Sequence, residues 1–496
     1  MNRRTSPVRW AAIFMLTMTF FLTTVELVRY ASFRASFPSG MKIAGVPVGG
    51  LTYETAAERL VQVYQAPLEL LSGDARIQVR PATLGFQLKL ENMLAAADKQ
   101  RVAQSFWTGF WNYLWNRPIS SQDIPLQAEF DDQRLQNFLE NEIAVRYDQP
   151  AAPPMPIAGE SGFYPGQAGT EINYDVSLQR IREALISPNS RVVRLEIQQT
   201  QPPRPTIDML EYLLKDIINT STFDGLIELY FKDLQNGLVM HFIDNRMNEE
   251  EIPLDVAYSS WSTIKIPVMI SAFRRLSAPY DPTDLTLMEQ MIERSDNDST
   301  DALAKAVIDP TFAPMKVTED LRTLGIQNTY WAGFFTPGSP MLQDYKTPAN
   351  QRTDFSTEPD RYAQTTPQDL GLLLEDIYYC AKDYGGSFPL AFNGEITQEE
   401  CQMMVDYLAL NKIGVLIQAG VPSNITVAHK HGWAYEVDDG YIHTIGDAGI
   451  VYTPGGDYVL AVFAYHPVQA VFDPVNQLVA KLSQSVYSYY NLSTSQ

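Results

Sequence analysis

Asn236-Gly237 stands between two strand-like runs, Leu226–Phe231 and Gly237–Ile243. An Asn-Gly pair in that setting is a strong hairpin signal, because both turn positions tolerate positive φ. Helical stretches follow, one an apolar run ending near Phe273 and another spanning Leu285–Arg294. Strand-like runs return at Thr426–His429, Ile442–Tyr452 and Tyr458–Tyr465, the last two around Thr453-Pro-Gly-Gly-Asp, and Val471–Tyr489 reads as a closing helix. Two strands, then helices, then further strands describe an α+β domain built on an antiparallel sheet.

The apolar run ending near Phe273 is preceded by Ser262-Thr263-Ile264-Lys265. Serine is a poor nucleophile unless a base within hydrogen-bond reach takes its proton. A lysine three residues on can do this when both lie on one helical face. Ser259-Ser260 before Trp261 suits a helix start, which would set Ser262 near the positive end of the helix dipole. Alone, such a spacing is common and fits an ordinary exposed helix start. Two later motifs accompany it. Ser295-Asp296-Asn297 follows the helical stretch Leu285–Arg294, and Lys430-His431-Gly432 closes the strand-like run Thr426–His429. Ser-Asp-Asn by itself would read as a helix cap and turn.

Ser-x-x-Lys, Ser-Asp-Asn and Lys-Thr-Gly, in that order, are the motif set of penicillin-recognising serine enzymes. Residues from about Thr206 to Ser488 resemble the class A β-lactamase and D,D-peptidase family, with only the middle residue of the third motif differing. The resemblance implies a β-lactamase-like fold, an antiparallel sheet with a helical part. It implies Ser262 as nucleophile and Lys265 as its base, the lysine kept neutral by partial burial and by the nearby cation Lys430. Ser295 would pass the proton to the leaving amine, and Asn297 would hold the substrate amide and orient Lys265. Lys430 would bind the substrate carboxylate, with His431 able to donate where the family has Thr or Ser. Gly432 would let the substrate backbone approach, and the N–H groups of Ser262 and Trp433 would form the oxyanion hole. Two departures stand out. Ser295 follows Ser262 by only 33 residues, which trims the helical part. The loop before the helix start Thr365-Thr366-Pro367 lacks a Glu-x-x-Leu-Asn pattern, and its nearby Glu358 lies too close to Thr366 and reads as a surface residue; the alternative is that the long loop folds back and brings Glu358, Asp354 or Asp360 to the acyl carbon. The implied substrates are peptidoglycan stem peptides or β-lactams. The competing reading is a cell-wall-binding protein that keeps the fold as a binding module.

The chain is 496 residues long with a net charge of −21, which allows two or three domains and argues against nucleic acid as a partner. No cofactor or metal is implied, since the two cysteines, Cys380 and Cys401, fit no zinc spacing. Both fall in helical stretches joined by a Gly/Pro-containing loop. They read equally as a disulfide in an oxidising compartment or as two buried thiols. Arg3, Arg4 and Arg9 precede an apolar stretch from Trp10 to about Val25, which predicts a single uncleaved membrane anchor with the rest of the chain outside a bacterial cytoplasm; a cleaved signal peptide competes.

Domain boundaries are expected at 1–37 (tip, membrane helix and juxtamembrane segment), 38–203 and 204–496. The middle segment shows a helix at Tyr53–Tyr64 capped by Thr52, strands at Leu68–Leu71 and Arg76–Arg80, and a helix at Glu91–Lys99. A second half, from about 119 to 203 after a first of 38–118, repeats strands and helices, including Asp132–Val145 and Val176–Ile186. Through Gly45-Val-Pro-Val-Gly-Gly-Leu-Thr and Phe163-Tyr-Pro-Gly-Gln-Ala-Gly-Thr-Glu-Ile it resembles a peptidoglycan-binding α+β repeat domain of bacterial envelope proteins. A stalk that lifts the hydrolase off the membrane is the alternative. Phe106-Trp-Thr-Gly-Phe-Trp-Asn-Tyr-Leu-Trp between the halves reads first as core or as a hydrophobic wedge, with a membrane-interface or glycan-stacking surface as the alternative.

Overall fold

The computed structural model describes residues 7–117, 122–248, 250–410 and 413–492. Arg3, Arg4 and the expected boundary at 118/119 lie outside the described residues. The chain divides into two compact units, residues 1–152 with 167–202, and residues 153–166 with 203–496.

The first unit opens with α1 (Pro7–Arg34), a helix long and apolar enough to cross a membrane, whose apolar window is not buried. Then come α2 (Tyr53–Tyr64), the hairpin β1 (Leu68–Ser72) and β2 (Ala75–Val79), α3 (Leu90–Arg101), α4 (Phe106–Leu114), α5 (Tyr174–Ile186) and β3 (Val192–Arg194). The Thr52 hydroxyl accepts the Thr55 N–H while the Thr55 hydroxyl accepts the Thr52 N–H, so α2 starts on the expected cap. β3 joins β1 in parallel, and Leu60, Leu68, Met93, Ile181 and Val193 share the core between sheet and helices. The expected helix over Asp132–Val145 changes to π geometry at Leu139–Ala144. The aromatic segment is not core. In α4 only Gly109 and Phe110 are buried, and Trp107, Trp111 and Trp115 face solvent.

In the second unit α6 (Ile207–Thr220) precedes β4 (Leu226–Asp233) and β5 (Val239–Asn245). The turn between these strands is wider than an Asn-Gly pair alone would make. Asp233 Oδ1 accepts the N–H groups of Gln235 and Asn236, Asn236 Oδ1 accepts that of Leu238, and Gly237 takes φ +77°. The second strand therefore begins at Val239 rather than Gly237. Helices α7 (Lys265–Phe273), α8 (Pro282–Glu293), α9 (Asn297–Leu303), α10 (Ala313–Thr323), α11 (Pro367–Asp383) and α12 (Gln398–Ala409) follow. The chain ends with β6 (Thr426–Trp433), β7 (Thr444–Tyr452), β8 (Tyr458–Tyr465) and α13 (Phe472–Tyr490).

Among the described residues the five strands form one antiparallel sheet in the order β5-β4-β8-β7-β6. The early hairpin is completed by strands some two hundred residues later. β4 and β8 are buried on both faces; β8 is apolar or aromatic throughout, and β4 is so apart from Glu228, Lys232 and Asp233. One face carries α6 and α13 through Leu210, Leu214, Leu478 and Leu482. The other carries the middle helices through Ile266, Met269, Leu370 and Leu374. The fold is α+β, as read from the order of elements. A disulfide joins Cys380 on α11 to Cys401 on α12, both wholly buried, which settles the two open readings of the cysteines.

Candidate active site

The segment before α7 is not an α-helix start. Trp261 takes φ +44°, a left-handed conformation rare for a bulky residue, and Trp261–Ile264 then form a 3-10 turn leading into α7. A 3-10 turn has three residues per turn, so positions 262 and 265 are eclipsed. Lys265 Nζ accordingly lies 2.9 Å from Ser262 Oγ. The apolar run Ile266–Phe273 is wholly buried and fixes the lysine's backbone in the core.

Three further acceptors surround the same nitrogen: the Ser295 carbonyl at 2.7 Å, Ser295 Oγ at 3.3 Å and Asn297 Oδ1 at 2.7 Å. Ser295 adopts φ +57°, which aims its carbonyl at the amine. Asp296 caps α9 by accepting the Ser299 N–H at 2.7 Å, so the same turn that caps the helix sets Ser295 and Asn297 against Lys265. Lys430 Nζ donates to Ser295 Oγ at 2.9 Å and to the His431 carbonyl at 3.1 Å. Ser295 thus bridges two lysines, each without exposed surface.

Burial sets the charge of both amines. It lowers Lys265 to about 6, helped by the Lys430 charge, while Asp296 and Asp301 pull the other way. It lowers Lys430 to about 7, opposed by Asp447. At neutral pH Lys265 is a neutral amine with a lone pair available to the Ser262 hydroxyl.

The third motif does not close its strand. β6 runs on through Trp433, because Lys430–Trp433 pair with Ala448–Ile445 of β7. A strand alternates faces. Lys430 shares the face of α7, and the His431 ring lies on the other face, with its centroid 4.5 Å from that of Trp433. There burial lowers His431 to about 3 and its Nε2 has no hydrogen-bond partner among the described residues. The structure does not bring this ring to the cavity wall. Gly432 is where strand and turn meet. A Cβ there would stand 2.8 Å from both the Ser260 carbonyl oxygen and the Ser262 nitrogen, so only glycine lets the strand approach so closely.

Ser262 opens into a cavity of about 410 Å³ walled by Trp261, Asn297, Phe334, Phe335, Tyr362 and Trp433, among others. The size suits a small-molecule or peptide-end ligand. Sequence reasoning missed two contributors, Phe335 and Asp301. Phe335 lies under Lys265, with Nζ 5.0 Å from the ring centroid. Asp301 is buried on α9 and accepts the N–H groups of Phe335 and Thr336 at 2.9 and 2.8 Å and the Thr336 hydroxyl at 2.7 Å, pinning the cavity wall. Asp360 also lines the cavity, and burial raises its carboxyl above the ordinary range. Its neighbours in the loop lie elsewhere: Glu358 is exposed and Asp354 is ion-paired to Arg352 at 2.7 Å. Only the spacing of Asp301, one helical turn after Asn297, hinted at any of this.

One other cluster brings possible ligand atoms together, Glu228, His241 and Asp255 within 4.8 Å of one another. Glu228 already accepts the N–H groups of Asp255 and Val256, at 3.0 and 3.2 Å, and bonds His241 Nε2 at 2.8 Å. These contacts satisfy the carboxylate as an interior fastening of β4.

Residues 276–490 match the model of the "Beta-lactamase enzyme family". That segment holds Ser295, Asn297 and Lys430–Trp433, and starts after Ser262 and Lys265. Over that segment the chain is similar to the β-lactamase enzyme family, in line with the resemblance read from the motifs. Among solved structures, the chain is similar to one described as "Structure of PBP-A", with 18% identity, a TM-score of 0.40, and 58% of this chain and 98% of that chain covered. It is similar also to an "Ancestral (GNCA) Beta-lactamase class A", with 20% identity, a TM-score of 0.40, and 56% and 98% covered. No curated protein matches the chain.

Removing the Asp301 carboxylate leaves three donors without an acceptor, at a cost of about 1–3 kcal/mol each where buried. In Asp301→Ala, hydrogen exchange at the Phe335 and Thr336 amides should accelerate strongly while amides of β4 and β8 keep their protection. Unchanged protection at Phe335 and Thr336 would show that the wall is held by packing alone.

Proposed function

We propose that the chain is a membrane-anchored, extracytoplasmic serine hydrolase of the β-lactamase and D,D-peptidase type, forming an acyl-enzyme at Ser262 with peptidoglycan stem peptides or β-lactams. The observation that carries this reading is the 2.9 Å contact between Ser262 Oγ and a buried lysine amine that is neutral at pH 7. Lys265 takes the Ser262 proton as Oγ attacks the acyl carbon. The carbon–nitrogen bond breaks, an ester forms, and the leaving nitrogen receives a proton through the Ser295 hydroxyl, which stands between Lys265 and Lys430. The N–H groups of Ser262 and Trp433 are assigned the oxyanion, Asn297 the substrate amide, and Lys430 with Gly432 the carboxylate end of the substrate. Anchoring is assigned to α1, whose length and hydropathy fit a bilayer. The first unit beyond α1, residues 38–152 with 167–202, is assigned to the cell wall or to a stalk.

The direct test is covalent labelling by a fluorescent penicillin. The native chain should label and Ser262→Ala should not, with the adduct mapped to Ser262 by mass spectrometry. An adduct that persists in Ser262→Ala would place the nucleophile elsewhere, and an unlabelled native chain would favour the binding-module reading.

The two lysines predict a bell-shaped pH profile for acylation by a carboxylate-bearing β-lactam. Lys265 is lowered to about 6, so the rate rises with pH as it loses its proton and becomes a base. Lys430 is lowered to about 7, so above that pH its attraction for the carboxylate is lost and the rate falls. An analogue without the carboxylate should lose the falling limb and keep the rising one. A rising limb displaced far above 6 would show that Lys265 is not the base.

Deacylation should be slow. A general base contributes about 10²–10⁴-fold, and the loop offers no glutamate at the cavity. Asp360 is the loop carboxylate on the cavity wall, so residual turnover should depend on it. Stopped-flow measurement should find a long-lived acyl-enzyme whose lifetime lengthens in Asp360→Asn and is unchanged in Glu358→Gln. Rapid turnover lost in Glu358→Gln would reverse this assignment.

A further inference from the structure

α4 presents Trp107, Trp111, Leu114 and Trp115 to solvent, the tryptophans 63%, 59% and 70% exposed. Their spacings of four, three and one place all four on one face of the helix. The opposite face packs on the end of α1. The Tyr30 ring lies 5.3 Å from Phe106, 5.5 Å from Phe110 and 5.4 Å from Tyr113, centroid to centroid, and Phe33 lies 5.3 Å from Tyr113. Arg34 sits over Phe106 and donates to the Gln104 carbonyl at 3.1 Å. Gly109 meets the Tyr30 hydroxyl so closely that a Cβ would overlap it. These contacts fix α4 at one level along α1. About 20 residues of helix cross the hydrocarbon of a bilayer. Counted from Trp10, that length ends near Arg29, so Tyr30, Phe33 and the docked α4 fall at the water boundary.

The charges around α4 agree. In a chain of net charge −21, the stretch from Lys99 to Gln122 has no acidic residue and carries Lys99, Arg101 and Arg117, of which Arg101 is ion-paired to Asp98 at 2.6 Å. Tryptophan and tyrosine prefer the headgroup level, where an apolar ring and a polar N–H or O–H are both accommodated, and basic residues add attraction to anionic lipid. A glycan could also stack on tryptophan. Contact with the end of α1 and the net excess of basic over acidic residues in the flanking sequence favour lipid.

We propose that α4 is an interfacial helix whose tryptophan face seats in the headgroup–acyl boundary of the membrane crossed by α1, fixing the orientation of the first unit on the bilayer. This rests on reading α1 as a membrane helix. The test uses the full chain in phosphatidylethanolamine–phosphatidylglycerol vesicles containing lipids brominated near the top of the acyl chain. The chain has seven tryptophans. Emission of Trp10→Phe minus that of the same chain also carrying Trp107→Phe, Trp111→Phe and Trp115→Phe isolates α4. The triple Phe variant with Trp10 intact reports on α1 relative to its Trp10→Phe counterpart. The α4 signal should lose most of its intensity to brominated lipid and resist aqueous iodide. Quenching of Trp10 with no quenching of α4 overturns the proposal and leaves the anchor standing. No quenching of Trp10 removes the anchor and the proposal with it. Full iodide access to α4 that disappears only when purified cell-wall sacculi are added would overturn the lipid assignment in favour of glycan.

Discussion

Two buried lysines held to one serine hydroxyl are the constraint on which the rest of the second unit depends. Ser295 Oγ lies 3.3 Å from Lys265 Nζ and 2.9 Å from Lys430 Nζ. Burying an ammonium without a paired anion costs so much that the group gives up its proton instead. The fold uses this. No carboxylate touches either amine among the described residues. The acids that temper the lysines are engaged elsewhere: Asp296 with Ser299, Asp301 with the cavity wall, and Asp447 with His429 and the Ile417 N–H. A carboxylate in direct contact with Lys265 would hold it charged and leave no lone pair on the amine facing Ser262. Carboxylates at a distance moderate the shift without neutralising it, which keeps Lys265 near 6 rather than near 10.

Holding that hub requires three chain segments to meet, and each meets for a different physical reason. Ser262 and Lys265 are close because a 3-10 turn eclipses positions three apart. Ser295 and Asn297 arrive on a turn stabilised by the cap of α9. Lys430 arrives on an edge strand whose next residue but one is glycine, so that the strand can lie against the turn bearing Ser262. The sheet makes the third meeting possible, since the early hairpin β4–β5 is completed by β8 and β6 follows through β7.

Much of this was legible from the residues. The hairpin at Asn236-Gly237, the cap at Thr52, and the helix start at Thr365-Thr366-Pro367 are local signals, and each element forms within a few residues of its expected bounds. The gathering of Ser262, Lys265, Ser295, Asn297 and Lys430 was legible only through motif order, because no local rule links residues so far apart. What failed did so for identifiable reasons. Lys430-His431-Gly432 seemed to end a strand because lysine, histidine and glycine are weak strand formers. Pairing with Ala448–Ile445 overrides that preference, and the continued alternation then turns His431 away from Lys430. Asp301 gave little more than a hint, because its importance lies in the loop backbone it holds, and which of Asp354, Glu358 and Asp360 would reach the cavity depends on loop shape, which composition does not encode.

The aromatic segment failed for the opposite reason. Its density argued for burial, on the premise that water is the only solvent available to an exposed ring. Its period tells more than its density. The tryptophans recur every fourth residue, while Phe106, Phe110 and Tyr113 form a separate face packed on Tyr30 and Phe33. A core helix in a water-soluble unit has one apolar stripe. α4 has two, one satisfied by α1 and one open, and the open one is made of the residue type that favours a surface neither fully wet nor fully dry. Hydrophobic periodicity therefore has to be read together with what the neighbouring segment can place nearby, and in this chain the neighbour is the one helix among the described residues apolar enough to cross a bilayer.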